Sequence, residues 1–229
     1  MIGEHDNGTN AEYFVAPVSN VLDVGDAEPV SAAAFGLAHL TAWRMLITRA
    51  QLRAGQSVLI TGIGGGAALA SFTIAKHFGC KTIVTSRHQW KLDRALELGA
   101  HDIVLDEGED WSKKARGFTG KRGVDVCVDS VGGALHLSCL KSLARGGTLV
   151  TCGCTAGAAP STDLARIFWN QLSILGSTMG DMLEFREVMS LFNNGMSPVI
   201  DSVHDAQNAQ GAFARLESSE QFGKVVLRW

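Results

Sequence analysis

From residue 57 to residue 178 the chain repeats one pattern, and that pattern leaves few folds open. Short β-branched runs alternate with stretches of helical periodicity: "SVLIT" then 66–78, "KTIVTS" then 89–98, "DIVLD" then 109–118, "VDVCVDS" then 133–144, and "GTLVTCG" then 163–170. "QLSILGSTMG" reads as a sixth strand, and 181–194 as a further helix beginning at Asp181. Near-continuous apolar runs separated by helices predict a parallel sheet covered on both faces. Right-handed crossovers then make the fold α/β and doubly wound.

The two ends do not keep this rhythm. Residues 10–24, "NAEYFVAPVSNVLDV", read as two short strands around Pro17. Residues 29–53 read as one long helix, with Pro29 in its first turn and Ser31 as an alternative cap. "GKVVLRW" reads as a strand that follows a helix ending near Glu217. These terminal strands look like parts of another sheet.

Composition narrows the function. The chain has 229 residues, 46% of them hydrophobic, enough for one sizeable core or for one domain plus part of another. A net charge of -3 argues against a nucleic-acid partner, which calls for a basic face. No stretch reads as approaching the roughly 20 apolar residues of a membrane helix, so no membrane partner is expected. "MIGEHDNGTN" carries no basic-then-apolar signal pattern. The five cysteines, Cys80, Cys127, Cys139, Cys152 and Cys154, are odd in number and mostly inside apolar runs. They read as reduced thiols and a cytoplasmic location. Cys152-Gly153-Cys154 has the wrong spacing for a zinc knuckle, and the histidines form no i, i+4 pair, so no metal site is expected.

The first strand runs into "TGIGGGAALA", with Gly62, Gly64, Gly65, Gly66, Ala67 and Ala68 ahead of a helix. Glycines there let backbone approach a pyrophosphate, and the free N–H groups of the helix start favour its charge. A plain glycine-rich turn is the alternative, and the place at the head of the alternating series favours the cradle. The second strand ends in "TSRHQWK", giving Ser86, Arg87 and Lys91 with no carboxylate before Asp93. A site for NAD carries an acid at this strand end, whereas a hydroxyl and two cations suit a 2′-phosphate, so NADPH is expected. The alternative is a solvated helix start, although cations there oppose the helix dipole. Ser130, Val131 and Gly132 after the fourth strand, and Cys152 and Gly153 after the fifth, fall where a crevice ligand would extend. Gly132 and Gly133 read equally as a simple turn.

Several of these segments stand in an order that resembles the medium-chain dehydrogenases/reductases: "LTAWRML", "AGQSVLITGIGGGAALASFTIAKHFGCKTIVTSR", "WKLDRALELGA", "GVDVCVDSVGG", "LARGGTLVTCG", "ILGSTMG" and "GKVVL". Within that family the look is closest to quinone oxidoreductase-like and zinc-binding dehydrogenase members. The resemblance implies a Rossmann domain over 29–217, with remnants of a GroES-like catalytic barrel at 1–28 and a returning strand at 218–229. It implies that the chain begins near the end of that barrel. It places Gly62, Gly65 and Ala68 in the three small-residue slots of the cofactor loop, Thr41 against the nicotinamide, and Lys224 near the ribose or phosphate. Gly176, Ser177 and Thr178 would approach the carboxamide through backbone groups. A helix threonine bonded to its own backbone and a surface lysine are the plain alternatives for Thr41 and Lys224. The zinc-dependent branch has a cysteine where this chain has Leu37, so the resemblance implies no catalytic zinc, and His39 nearby is a poor substitute.

The expected function is therefore metal-free, NADPH-dependent hydride transfer to a small-molecule quinone, enone or carbonyl. The alternatives are a non-catalytic NADP(H)-binding chain without its substrate domain, and a doubly wound domain for another nucleotide or a methyl donor. No strong general acid stands out, and Tyr13 is the only tyrosine. The apolar sixth strand, read as a sheet edge, implies a homodimer through that strand.

Overall fold

The computed structural model describes residues 2–229. Six strands form one parallel sheet: β1 (Ser57–Ile60), β2 (Lys81–Ser86), β3 (Asp102–Leu105), β4 (Val124–Asp129), β5 (Leu143–Thr151) and β6 (Ser173–Gly176). Their order is β3-β2-β1-β4-β5-β6, so the chain reverses direction across the sheet between β1 and β4. That reversal opens a crevice at the carboxyl ends of the central strands. In β1, Ile60 pairs with Val84 of β2 and Val128 of β4.

Both faces of this sheet are covered. Val58, Ile60, Val84, Val126 and Val128 pack into one core with α1 (Pro29–Trp43), α2 (Gly66–His77) and α3 (Gln89–Glu97). Leu59, Ile83, Val104 and Cys127 face the other core, with Trp111 and Ala115 beside and in α4 (Ser112–Gly117) and Cys139 and Leu140 in α5 (Leu135–Ser142). Alternate residues of one strand thus serve opposite cores, which explains the unbroken apolar runs. Truncating the fully buried Leu59 to alanine would cost about 2–5 kcal/mol. All five cysteines are free thiols.

Past β6, α6 (Leu164–Asn170) lies behind and α7 (Met182–Asn193) ahead, the latter opened by a capping box between Asp181 and Glu184. The chain then adds β7 (Ile200–Asp205), α8 (Ala209–Glu217) and β8 (Lys224–Arg228). β8 finds its partner in β7, in parallel, as a separate two-stranded unit.

Three expectations change. Residues 10–24 form no strands: a single 3₁₀ turn covers Val18–Asn20, and Tyr13, Val15 and Val18 stand 88–98% exposed. No neighbouring strand takes up their backbone groups, and an unpaired extended segment is not a sheet.

The second change is at the leading helix, which is capped by Glu28 rather than Ser31, its carboxylate accepting from Val30 and Ser31 N–H. It runs as α-helix only to Trp43, then widens into a π-helical turn, Arg44–Arg49, and stops before residue 53.

Third, the 21 residues Pro29–Arg49 are long and apolar enough, by length and composition, to cross a membrane, contrary to the reading of the sequence. In the fold this is a core helix: Ala34, Phe35, Ala38, Ala42, Met45 and Leu46 are all buried against the sheet, α2 and α7.

Candidate functional site

β1 ends in a turn whose conformation glycine alone adopts comfortably. Gly62 has φ +64° and Gly64 φ +114°. A Cβ on Gly62 would stand 2.9 Å from Val131 Cγ2. The turn is stitched to both neighbouring strands: Thr61 N donates to Val128 O at 3.0 Å and Ile63 N to Thr85 O at 2.8 Å. Gly65 caps α2 with no side-chain hydrogen bond, so the first N–H groups of Gly66, Ala67 and Ala68 have no side chain closing them off. Ala68 itself is 3% exposed and belongs to the core, where its small size lets α2 approach the sheet.

Two lysines lie alongside this turn. The Lys224 stem crosses Gly66, with Cδ 2.9 Å from where a Cβ would be. Burial pushes its ammonium pKa down, and no carboxylate counters that. Lys91 crosses Gly64 in the same manner and donates from Nζ to Ser219 O at 2.6 Å. Its pKa is lowered by burial and by the neighbouring Arg87 cation. Asp201 partly offsets the Arg87 charge at Lys91, and a bound anion would favour both cations further.

A cleft of about 890 Å³ opens here, lined among others by Gly62, Gly65, Ser86, Arg87, Lys91, Ser130 and Val131. These seven sequence-predicted residues are brought together. Gly64, Gly66 and Lys224 adjoin the turn without lining the cleft, and Ala67 shares the helix start. Thr41, Gly132, Cys152, Gly153, Gly176, Ser177 and Thr178 lie outside it. Thr41 Oγ1 donates to Leu37 O at 3.0 Å, a bond within its own helix. Gly132, with φ +66°, packs beneath the loop after β5, where a Cβ would meet Gly157 O at 2.8 Å. Cys152 N donates to Asp129 O at 3.3 Å, and burial raises its thiol pKa. At the end of β6, Ser177 N donates to Thr151 O at 2.8 Å, while Ser177 Oγ is buried with no hydrogen-bond partner.

Asp129 at the end of β4, read as part of the strand end at the nicotinamide half, is 1% exposed and accepts from Thr61 Oγ1 at 2.7 Å, Val131 N at 2.9 Å and Gly132 N at 3.2 Å, and so ties the β4 turn to the glycine turn. Other site residues were not read from the sequence. Asp106, Asp110, Ser138 and Lys141 also line the cleft, Asp106 N donating to Ser86 O at 2.9 Å at the end of β2. Burial works against the Asp110 charge, but Lys141 at 2.8 Å and Ser112 hold its pKa at about 2. Three of the four follow strand ends or helix faces that carry no glycine signature, which is why they pass unnoticed.

The residues present fit a dinucleotide: a turn that a Cβ would fill, a helix start with no side-chain cap, the Lys91 and Lys224 stems beside it, and a buried hydroxyl without a partner. They do not fit a zinc ion. Leu37 is 55% exposed and alkyl, and both His39 nitrogens are engaged, with Phe35 O at 2.9 Å and Thr73 Oγ1 at 3.4 Å. Burial lowers the His39 pKa to about 4. Among the described residues no three His, Cys, Asp or Glu side chains converge.

Sheet order, glycine turn and cleft together define a Rossmann dinucleotide-binding domain. The family of zinc-binding dehydrogenases matches residues 65–194. A zinc-type alcohol dehydrogenase-like protein from Leptosphaeria maculans, YogA, is 30% identical over 96% of this chain and 66% of its own length. The quinone oxidoreductase of Rattus norvegicus is 29% identical over 95% of this chain and 67% of its own. Among solved structures, an NAD-dependent alcohol dehydrogenase superposes with a TM-score of 0.93 at 36% identity, covering all of this chain and 67% of that one. The chain therefore belongs to the zinc-binding dehydrogenase family, within the medium-chain dehydrogenase/reductase oxidoreductases, whose members bind a nicotinamide cofactor. It spans about two thirds of the length of the relatives it matches.

Proposed function

We propose that this chain binds NADPH in preference to NADH and serves the metal-free reduction of a small quinone, enone or other carbonyl compound. The observation that carries the preference is the end of β2, where Ser86, Arg87 and Lys91 line the cleft and the Arg87 charge opposes that of Lys91, with Asp201 only partly offsetting it. A 2′-phosphate relieves that repulsion, and a bare ribose hydroxyl does not. Gly62 and Gly65 admit the pyrophosphate to the start of α2, where Lys224 supplies charge. Backbone groups of Gly176, Ser177 and Thr178, with the unpartnered Ser177 hydroxyl, receive the carboxamide. The nicotinamide, when bound, supplies the hydride, and the protein supplies its orientation.

Calorimetric titration of the purified chain with NADPH and NADH tests the cofactor reading, and loss of NADPH absorbance with a panel of quinones, enones and aldehydes tests the reaction. Cofactor binding without turnover on any of these would leave the non-catalytic alternative.

The same reading includes a homodimer through the β6 edge. β6 pairs on one side only, Ile174 is 39% exposed, and Leu164, Phe168 and Trp169 of α6 stand 69–73% exposed. Light scattering at micromolar concentration should give twice the mass of the chain; the mass of a single chain would remove the dimer.

A further inference from the structure

We infer that the π-helical turn Arg44–Arg49 positions the loop 176–181 at the nicotinamide end of the crevice, with Glu184 as the positioning residue that joins the two. The inference rests on the proposed function, in which Gly176, Ser177 and Thr178 meet the nicotinamide.

A π turn is rare and appears frequently at functional sites. Here Ala50 N donates to Met45 O, five residues back, at 2.9 Å. At 3.6 residues per turn Arg49 would lie about 140° round the helix from Arg44. The wider π turn brings it to about 50°, onto the same side. Arg44, Thr48 and Arg49 all then reach one segment of chain.

Arg44 Nε donates to Glu184 Oε2 at 2.8 Å, and its Nη2 to Asp181 Oδ2 at 3.0 Å. Thr48 Oγ1 donates to the other Glu184 oxygen, Oε1. Arg49 Nε donates to Gly176 O at 2.9 Å. Glu184 Oε2 also accepts from Asp181 N at 2.9 Å. The loop is thus held at its start by Arg49 and at its end by Glu184. Between these points Gly180 lies against Leu40 so closely that a Cβ could not fit, and Met179 is left-handed at φ +50°.

A capping box alone would need only the exchange between Asp181 and Glu184. Glu184 goes further: it is 6% exposed, and both carboxylate oxygens are bonded from the π turn. Burial pushes its pKa up, but Thr48, Arg44 and the Asp181 N–H bring it below its ordinary value, so it stays charged. A buried charge-assisted network fixes geometry more tightly than exposed pairs do. The unpartnered Ser177 hydroxyl independently marks this loop as one that awaits a ligand.

The test measures equilibrium binding of two ligands, NADPH and 2′-phospho-ADP-ribose, which lacks the nicotinamide, by the wild-type chain and by Glu184→Gln. The expected result is about a tenfold loss of NADPH affinity with 2′-phospho-ADP-ribose unchanged, from the loss of one charged hydrogen-bond set. Arg49→Gln, at an exposed side chain, keeps the fold and decides the matter if Glu184→Gln does not fold. It should show the same pattern at about threefold. Equal losses for both ligands, or none for either, would overturn the inference and indicate a purely structural network. A wild-type chain that binds neither ligand overturns the proposed function, and this inference with it.

Discussion

At the β1–β2 end of the crevice lies a cleft of about 890 Å³, built from a glycine turn, a helix start and the cations Arg87 and Lys91. At the β5–β6 end the chain that follows β6 is held by hydrogen bonds from Arg44, Thr48 and Arg49 to Glu184 and Gly176. On the proposed function, the first end would recognise by charge and by space, and the second would position by rigidity. Affinity should therefore come mainly from the first and orientation from the second. Substitutions at the two ends ought to fail in different ways.

The largest effect is expected at the glycine turn. Gly62→Val places a branched side chain at φ +64° and against Val131, in the space a pyrophosphate needs. NADPH affinity should fall about a hundredfold, read by calorimetry. A fall below tenfold would mean that the turn is not the cradle.

Next is a stability effect in the β7–β8 unit. Asp201 accepts from Arg215 and from Phe222 N at 2.8 Å. Asp201→Asn should cost about 2 kcal/mol in chemical unfolding. Arg215, then the Phe222 amide, hold the Asp201 pKa at about 2, below its ordinary value. The folded-state value is depressed, so this stability is fully present above about pH 4 and is lost as pH falls through about 2. The variant should show a flatter acid-unfolding profile than wild type over that interval.

Arg87→Ala comes third: NADPH should weaken about tenfold while NADH is unchanged, because only the former offers a 2′-phosphate. Equal weakening of both cofactors would move Arg87 from selectivity to general charge attraction.

The smallest effect is predicted at Thr41. Its hydroxyl is bonded inside its own helix, so Thr41→Val should change NADPH affinity by less than about twofold. A larger loss would show that the hydroxyl turns toward the cofactor on binding.

The contrast between the two ends also explains what the sequence disclosed. β1 through β6 and α2 through α7 were legible because each strand is buried on both faces and each helix follows by a short connection. The glycine turn and the cations of Arg87 and Lys91 were legible because their chemistry sits within a few neighbouring residues. β7 was missed: its residues alternate between half-buried and exposed positions, with Asp201, Ser202 and His204 interrupting the apolar run. Its partner β8 was read as a strand, but the pairing joins Ile200 to Lys224 across a helix, which no local pattern encodes. Thr61 with Asp129, and Arg44 with Glu184, were invisible for the same reason, since each bond spans a long stretch of chain. The strands expected at 10–24 were locally plausible and failed for want of a neighbour. A π turn leaves no periodic signature in six residues.

The central claim is that the closed end of the crevice selects a 2′-phosphate. Calorimetric titration of the wild-type chain with NADPH and NADH under identical salt tests it most directly. The account predicts that NADPH binds at least about tenfold more tightly, with the difference shrinking as salt rises. Equal affinity, or tighter binding of NADH, would contradict it.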